Sequence, residues 1–448
     1  MKKLSISSLA DKVGQDFTIY GWAFRIRNHK KVVFIELRDV SGDVQIVGGP
    51  ELASINPEDV ICIKGLVKER PAHMINEKSV TGTIEVECKE FEVISKSQTL
   101  PFDFAKDQLD VTLPVLLDYR SLTLRHPHVR SIFSVQEAVM EGFRKAAQDL
   151  NCTEIFVPTI SYSSTEGGAE VFKVDYYDYE AFLVQSPQLY KQIMVPVFER
   201  VFLVSHAYRA EPSVTTRHLS ESTQLDCELG FAEFEDLLDA LETVGQKTLE
   251  HVSEKCARVL GAYNVQPPHF GNKIPRLTLR EAQQVIFERT GRDNRKELDL
   301  EPEDEKEICA WALEEHDSDL VTITHFPTSK RAFYTKPDPK DPAYSLSYDL
   351  LFRGVEVLSG SQRIDNYDEL VSTIKNRGMN PNDFALYLQA FKYGMPPHGG
   401  FSFGLERMTM KLLNLGNVRE ASLFPRDMER IDVRLNAAHN EKEETSNQ

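Results

Sequence analysis

Between residues 16 and 95, apolar and polar side chains alternate in five short runs, 16–27, 31–39, 43–47, 60–69 and 82–95, each bounded by turn residues. A period of two marks strands with one buried face, and residues 51–58 read as a short helix or turn between the third and fourth. Five such strands in this length predict a small closed barrel of the OB type. Barrels of this kind hold single-stranded nucleic acid on one face by stacking bases on aromatic rings. Phe34 on the second run and Gln45 on the third are the candidates for a stacking ring and a base-edge reader. A lone strand aromatic is more often a core residue, so both readings stand for Phe34 at this level.

The formal net charge of -17 argues against binding nucleic acid by bulk electrostatics. Arg25, Arg27, Lys30, Lys31 and Arg38 nevertheless fall close together, which is compatible with a local basic face. No apolar run approaches the roughly 20 residues of a membrane helix, and Met1-Lys2-Lys3-Leu4 lacks the apolar segment of a signal peptide, so a cytoplasmic protein is expected. The six cysteines are dispersed without metal-like spacing, which predicts free buried thiols.

After a proline-bearing stretch read as a hinge over 98–125, the pattern changes. Ile132, Val135, Val139, Phe143 and Ala146 form one stripe of an amphipathic helix over 131–150. Residues 152–160 read as a strand whose Pro158 implies an edge or interface. A glycine-bearing loop over 163–170 follows, and then Lys191 near the start of a helix.

Strand-like runs at 200–207 and 224–231 flank the stretch from Tyr208 to Leu219, which holds Arg209, Arg217 and His218. Two strands joined by a cationic loop hold a polyanion rigidly, although a solvated basic turn has the same signature. A long helix is expected over 235–260 and a charged, mostly helical insert at about 270–320. Strands return over 347–364. There Asp349 and Glu356 are carboxylates in apolar surroundings, costly unless they meet cations or a metal. Two helices at 367–377 and 382–391 precede a glycine-bearing strand that runs through Gly404, Leu405, Glu406 and Arg407 into an apolar helix over 408–413.

Taken in order, these blocks resemble the class II aminoacyl-tRNA synthetases of subclass IIb, in particular the archaeal-type aspartyl branch with its asparaginyl relatives. The resemblance rests on Gly142-Phe143 through Pro158 as the first class II motif, Tyr208-Arg209-Ala210-Glu211 with Arg217-His218 as the second, and Gly404-Leu405-Glu406-Arg407 as the third. It implies an α+β protein. Residues 1–97 would be an anticodon-binding barrel, 126–433 a catalytic domain on an antiparallel sheet flanked by helices, and 434–448 a disordered tail. It also implies a homodimer formed through the first motif, with Pro158 near the two-fold axis.

The implied reaction activates an amino acid with ATP and then transfers it to the 3′ end of tRNA. By resemblance, Arg209 contacts the α-phosphate and Glu211 the adenine edge. Arg217 and His218 contact the distal phosphates, with Leu219 beside them, and Gly404 to Arg407 close the nucleotide site from the other side. Glu356 and Ser359 would hold Mg²⁺, with Asp349 as a supporting acid. Glu166, Gln188, Lys191, Arg209, Ser359 and Arg363 would bind L-aspartate, and Phe34 and Gln45 the anticodon. Lys191 and Arg363, as two buried cations, favour aspartate over the neutral asparagine. Ser222, Ser402 and Asp365 stand where the family more often has an aromatic residue, a glycine and a histidine, and the acid at 365 is nearer the asparaginyl pattern. An asparaginyl-tRNA synthetase, or a synthetase paralogue with a non-tRNA role, is therefore the alternative reading.

Overall fold

The computed structural model describes residues 4–77, 79–162, 170–212 and 215–431. The chain divides into two compact units, Met1–Leu116 and Leu117–Gln448. Glu166, the residues at 213–214 and the tail expected at 434–448 lie outside the described residues.

In the first unit, β1 (Asp16–Asn28), β2 (Val33–Asp39), β3 (Gly42–Gly48), β4 (Val60–Glu69) and β5 (Ile84–Ser95) close into a barrel in the order β1-β2-β3-β5-β4. The expected short helix is a 3₁₀ turn at Pro50–Ser54. Strand alternation decides the faces. Val33, Ile35, Leu37, Val44 and Ile46 are fully buried in the barrel core, each stabilising it by about 1.5–3 kcal/mol. Phe34 lies between two of these inward residues and so points outward. Arg38, which the sequence groups with the basic face, is instead buried and ion-paired with Glu58. Arg25 and Arg27 are both tied to Glu36, at 3.4 and 2.5 Å. The expected basic face is therefore largely neutralised.

The second unit is built on an eight-stranded sheet. Its strands are β6 (Thr153–Glu154), β10 (Arg200–Tyr208), β11 (Glu221–Gly230), β12 (Arg276–Thr278), β13 (Leu320–Thr324), β14 (Ser347–Phe352), β15 (Val355–Gln362) and β16 (His398–Gly404), ordered β12-β13-β14-β15-β16-β11-β10-β6. The six central strands are antiparallel, and each edge strand is parallel to its neighbour. A small sheet of β7 (Ile160–Ser161), β8 (Lys173–Tyr176) and β9 (Tyr179–Leu183) stands apart.

One face of the large sheet is covered by the helices Pro127–Asp149 and Phe234–Lys255. Val139, Phe143, Leu241 and Val244 pack there against Leu350, Leu358, Phe401 and Phe403. The strand expected over 152–160 is broken. Only Thr153 and Glu154 pair with β10, and Ile160 and Ser161 belong to the small sheet. Proline at 158 has no N–H to continue a ladder. Residues 274–316 form the helices Leu279–Thr290 and Pro302–His316, and also contribute β12 to the sheet edge beside β13.

Candidate functional site

On β11, Leu225, Cys227 and Leu229 are buried in the core, and the alternate positions Gln224, Asp226 and Glu228 face the other way. Ser402 and Gly404 on β16, and Ser359, Ser361 and Arg363 on and after β15, share that other face. With the loops above them they line a cleft of about 530 Å³. Arg209, Glu211, Arg217, His218 and Leu219 enter from the loop between β10 and β11. Glu356 and Arg407 enter from the β15 side, and Gln188 and Lys191 from the helix Gln188–Ile193.

The chain therefore brings together residues as far apart as 188 and 407, because β11, β16 and β15 are adjacent in the sheet. One expected residue takes another place and one has a further partner. Leu405 is buried in the main core, and Glu406, although at the cleft wall, accepts the backbone N–H of Thr223 on both oxygens, at 3.1 and 3.0 Å. Glu406 thus clamps the helix Leu405–Leu412 to β11.

The floor of the cleft holds two buried cations and two buried carboxylates. Lys191 Nζ donates to Asp226 Oδ1 at 2.7 Å and lies 3.5 Å from Glu228 Oε2. Arg363 Nε donates to Glu228 Oε1 at 2.9 Å, and its Nη2 donates to Glu228 Oε2 at 3.2 Å and to the carbonyl of Gly400 at 2.9 Å. Gly400 is required here, since a Cβ would collide with the Glu228 carboxylate and the carbonyl of Cys227.

Burial pushes Asp226 up, only partly offset by Lys191. Burial also pushes Glu228 up, but Arg363 and Lys191 outweigh it and hold its carboxyl below the ordinary range. Lys191 and Arg363 are buried, as expected, and each meets a carboxylate. With all four groups ionised the cluster is neutral. Both cations nevertheless line the cleft.

At the upper end, Arg209 is half exposed, with Glu211 Oε1 3.9 Å away. His218 Nε2 lies 3.7 Å from Glu211 Oε2, and its Nδ1 lies 2.6 Å from Thr215 Oγ1. Arg407 Nη1 donates to the carbonyl of Glu356 at 2.9 Å and stands 3.7 Å from its carboxylate.

Arg331, which carries no pattern in the sequence, donates to Asp349 Oδ2 at 2.7 Å and to Ser359 Oγ at 3.1 Å. Asp349 Oδ1 is buried without a partner among the described residues. Burial, and then the charge of Asp349, push the Glu356 carboxyl up to about 7 against the pull of Arg407 and Arg331. Some 35 % of its side chain still meets the cleft, so water tempers the effect. An orphaned carboxylate oxygen beside an acid and a hydroxyl is a donor set of the hard-oxygen type that suits Mg²⁺.

The sign of the pH effect follows. A carboxyl lifted to about 7 contributes ligand-free stability below its ordinary pKa and loses it as pH rises through 7. Cation binding requires the opposite, ionised form. Binding of a hard cation at this carboxylate is therefore expected to weaken as pH falls from 8 to 6, measured by calorimetric titration of Mg²⁺, and a pH-independent affinity would contradict this assignment.

Asp226 and Glu228 were legible in principle, since they alternate with Leu225, Cys227 and Leu229, and charged residues at i and i+2 within an apolar run signal buried ions.

On the barrel, Phe34 packs edge-on against His29 with centroids 5.8 Å apart. Gln45 is paired in register with Glu36 and Glu85, and its amide donates to Glu85 Oε2 at 2.9 Å. Phe34, Glu36 and Gln45 thus share the outward face of β2 and β3, and the core reading of Phe34 is set aside.

Residues 113–428 match the family described as tRNA synthetases class II (D, K and N), and residues 17–94 the OB-fold nucleic acid binding domain. The chain is 41 % identical over 432 residues to the Aspartate--tRNA(Asp/Asn) ligase of Thermus thermophilus, covering 96 % of this chain and 99 % of that protein. It is 38 % identical to the Aspartate--tRNA(Asp) ligase of Picrophilus torridus over 92 % of this chain and 96 % of the relative. Among solved structures, asparaginyl-tRNA synthetase from Pyrococcus horikoshii with asparaginyl-adenylate superposes with a TM-score of 0.86 at 29 % identity, covering 96 % of this chain and 99 % of that one.

Proposed function

The chain belongs to the class II tRNA synthetases of the D, K and N group, and from that premise we propose that it is an aspartate–tRNA ligase that forms aspartyl-adenylate from ATP and passes the aspartyl group to tRNA. The observation that carries this reading is that Arg209, Arg217, Arg407 and Glu356 line the same cleft as Lys191 and Arg363. Near-full-length similarity to relatives named as aspartate ligases supports aspartate over asparagine.

In the first step the α-carboxylate of aspartate attacks the α-phosphorus of ATP and pyrophosphate leaves. The carboxylate is already ionised at neutral pH, so alignment and charge neutralisation do the work rather than a general base. Arg209 stabilises the α-phosphate as negative charge builds in the transition state. Glu211 meets the adenine edge, while Arg217 and His218 hold the distal phosphates and Arg407 closes the nucleotide site.

Glu356 and Ser359 would hold Mg²⁺, with Asp349 as a supporting acid. When bound, the ion neutralises the phosphate oxygens. Gln188, Lys191 and Arg363 seat the substrate side chain, and Glu166 takes its ammonium. A terminal ribose hydroxyl of tRNA then displaces AMP.

Phe34 and Gln45 read the anticodon. Phe34→Ala is expected to lower kcat/KM for tRNA charging by roughly 5- to 150-fold, the value of about 1–3 kcal/mol per stacked base, while aspartate-dependent pyrophosphate exchange stays unchanged. Equal losses in both assays would contradict the assignment.

The extension to tRNA(Asn) is supported by similarity to the Thermus relative. A homodimer is supported by Phe156, an apolar side chain left 87 % exposed in the first-motif segment just before Pro158, which a second copy would cover. A cytoplasmic location fits the absence, among the described residues, of any helix long and apolar enough to cross a membrane.

Aspartate-stimulated exchange of pyrophosphate into ATP tests the reading of the cleft. Activation of asparagine and not aspartate would sink it.

A further inference from the structure

Glu305 lies outside all three motifs, on the first turn of the helix Pro302–His316. Its Oε2 accepts a hydrogen bond from Nη1 of Arg217 at 2.8 Å, and the pair is largely shielded from solvent. The helix is anchored to the sheet independently of the cleft. Ile308, Cys309 and Ala312 pack with Val321, Ile323 and Leu351, and Arg292 pairs with the buried Asp304 next to Glu305. The turn between β14 and β15 presses against the same helix. Gly354 there has φ +80°, and a Cβ would come within 2.9 Å of the Lys306 side chain. The hairpin that carries Asp349 and Glu356 therefore fixes the position of Glu305.

Among the described residues, Arg217 belongs to no such core cluster, although the carbonyl of Thr216 before it accepts from the Val418 N–H at 2.9 Å. It follows residues 213–214 on the loop between β10 and β11, with its backbone N–H held by Thr215 Oγ1 at 3.1 Å. An arginine side chain on a loop samples many rotamers, and ordering it opposes binding. Its planar fork carries five N–H donors, so one bond to Glu305 leaves an edge free for a phosphate.

Resting on the reading that this cleft binds ATP, we propose that Glu305 is a positioning residue that holds the Arg217 guanidinium with its free edge toward the distal phosphates. Glu305 itself touches no substrate. The helix that bears it thus serves the nucleotide site through a single ion pair.

The opposite role, a carboxylate that sequesters Arg217 from ATP, gives the opposite result on mutation. The test compares wild type, Glu305→Gln, Glu305→Asp, Arg217→Ala and the Arg217→Ala/Glu305→Gln double variant in aspartate-dependent pyrophosphate exchange. Glu305→Gln keeps the shape and removes the charge. It is expected to raise the KM for ATP on the order of 10- to 100-fold, as expected for a misplaced binding group, with the KM for aspartate and the melting temperature unmoved. Glu305→Asp should recover part of the loss. In the Arg217→Ala background, Glu305→Gln should add nothing, because the two act through one contact.

An unchanged or lowered KM for ATP in Glu305→Gln, or the same loss with and without Arg217, would overturn the proposal. A wild type inactive with aspartate would count against the functional reading instead, and calorimetric titration of Mg²⁺-ATP into the same five proteins then gives the same comparison.

Discussion

Replacing Arg363 with alanine is expected to lower kcat/KM for aspartate activation by roughly 10²- to 10⁴-fold, since breaking a buried ion pair costs about 3–5 kcal/mol. The side chain is almost fully buried and makes two bonds to Glu228, one to the carbonyl of Gly400, and a longer one to Gln188 at 3.3 Å. Alanine removes the donors proposed to meet the substrate and also leaves Glu228 with Lys191, 3.5 Å away, as its remaining cation, so part of the loss would appear as a lower melting temperature. Arg363→Lys separates the two effects. It keeps a positive charge beside Glu228 but loses the planar fork, so it should restore most of the thermal stability and little of the activity. Recovery of both together would mean that Arg363 serves the fold and not the amino acid.

Arg209→Ala is expected to lower kcat for adenylate formation by about 10²- to 10³-fold, the usual consequence of removing one donor aimed at transition-state charge. Here the fold is not at stake. Arg209 is half exposed, with Glu211 3.9 Å away, and exposed pairs of this kind contribute little to stability. The loss should appear in kcat with a smaller change in the KM for ATP, because the charge on the α-phosphate is greatest in the transition state. A variant that raises only KM would make Arg209 a ground-state contact.

The barrel was legible because each strand has one buried face, and a period of two survives in the sequence wherever that holds. Phe34 was ambiguous by itself, and its orientation followed only once Val33 and Ile35 were seen to point inward. The strand expected over 152–160 ends after Glu154, four residues before Pro158, which itself cannot extend a ladder.

The cleft was less legible. Arg209, Glu356 and Arg407 sit on segments far apart in the chain, and only the adjacency of β11, β16 and β15 joins them. Without the order of the family motifs, their chemistry would have remained separate loops. The partners of Lys191 and Arg363 lie 35 and 135 residues away. Pairings of that range depend on strand register, which periodicity within one strand does not encode. Glu305 is the extreme case, an acid in a charged helix whose sequence reads as a solvated face and whose carboxylate meets Arg217 only through the packing of that helix on the sheet.

The most direct test of the account is aminoacylation of purified tRNA(Asp) and tRNA(Asn) with labelled aspartate and labelled asparagine, side by side. The account predicts transfer of aspartate, and not asparagine, to tRNA(Asp). Transfer of asparagine in place of aspartate, or failure to charge either tRNA, would contradict it.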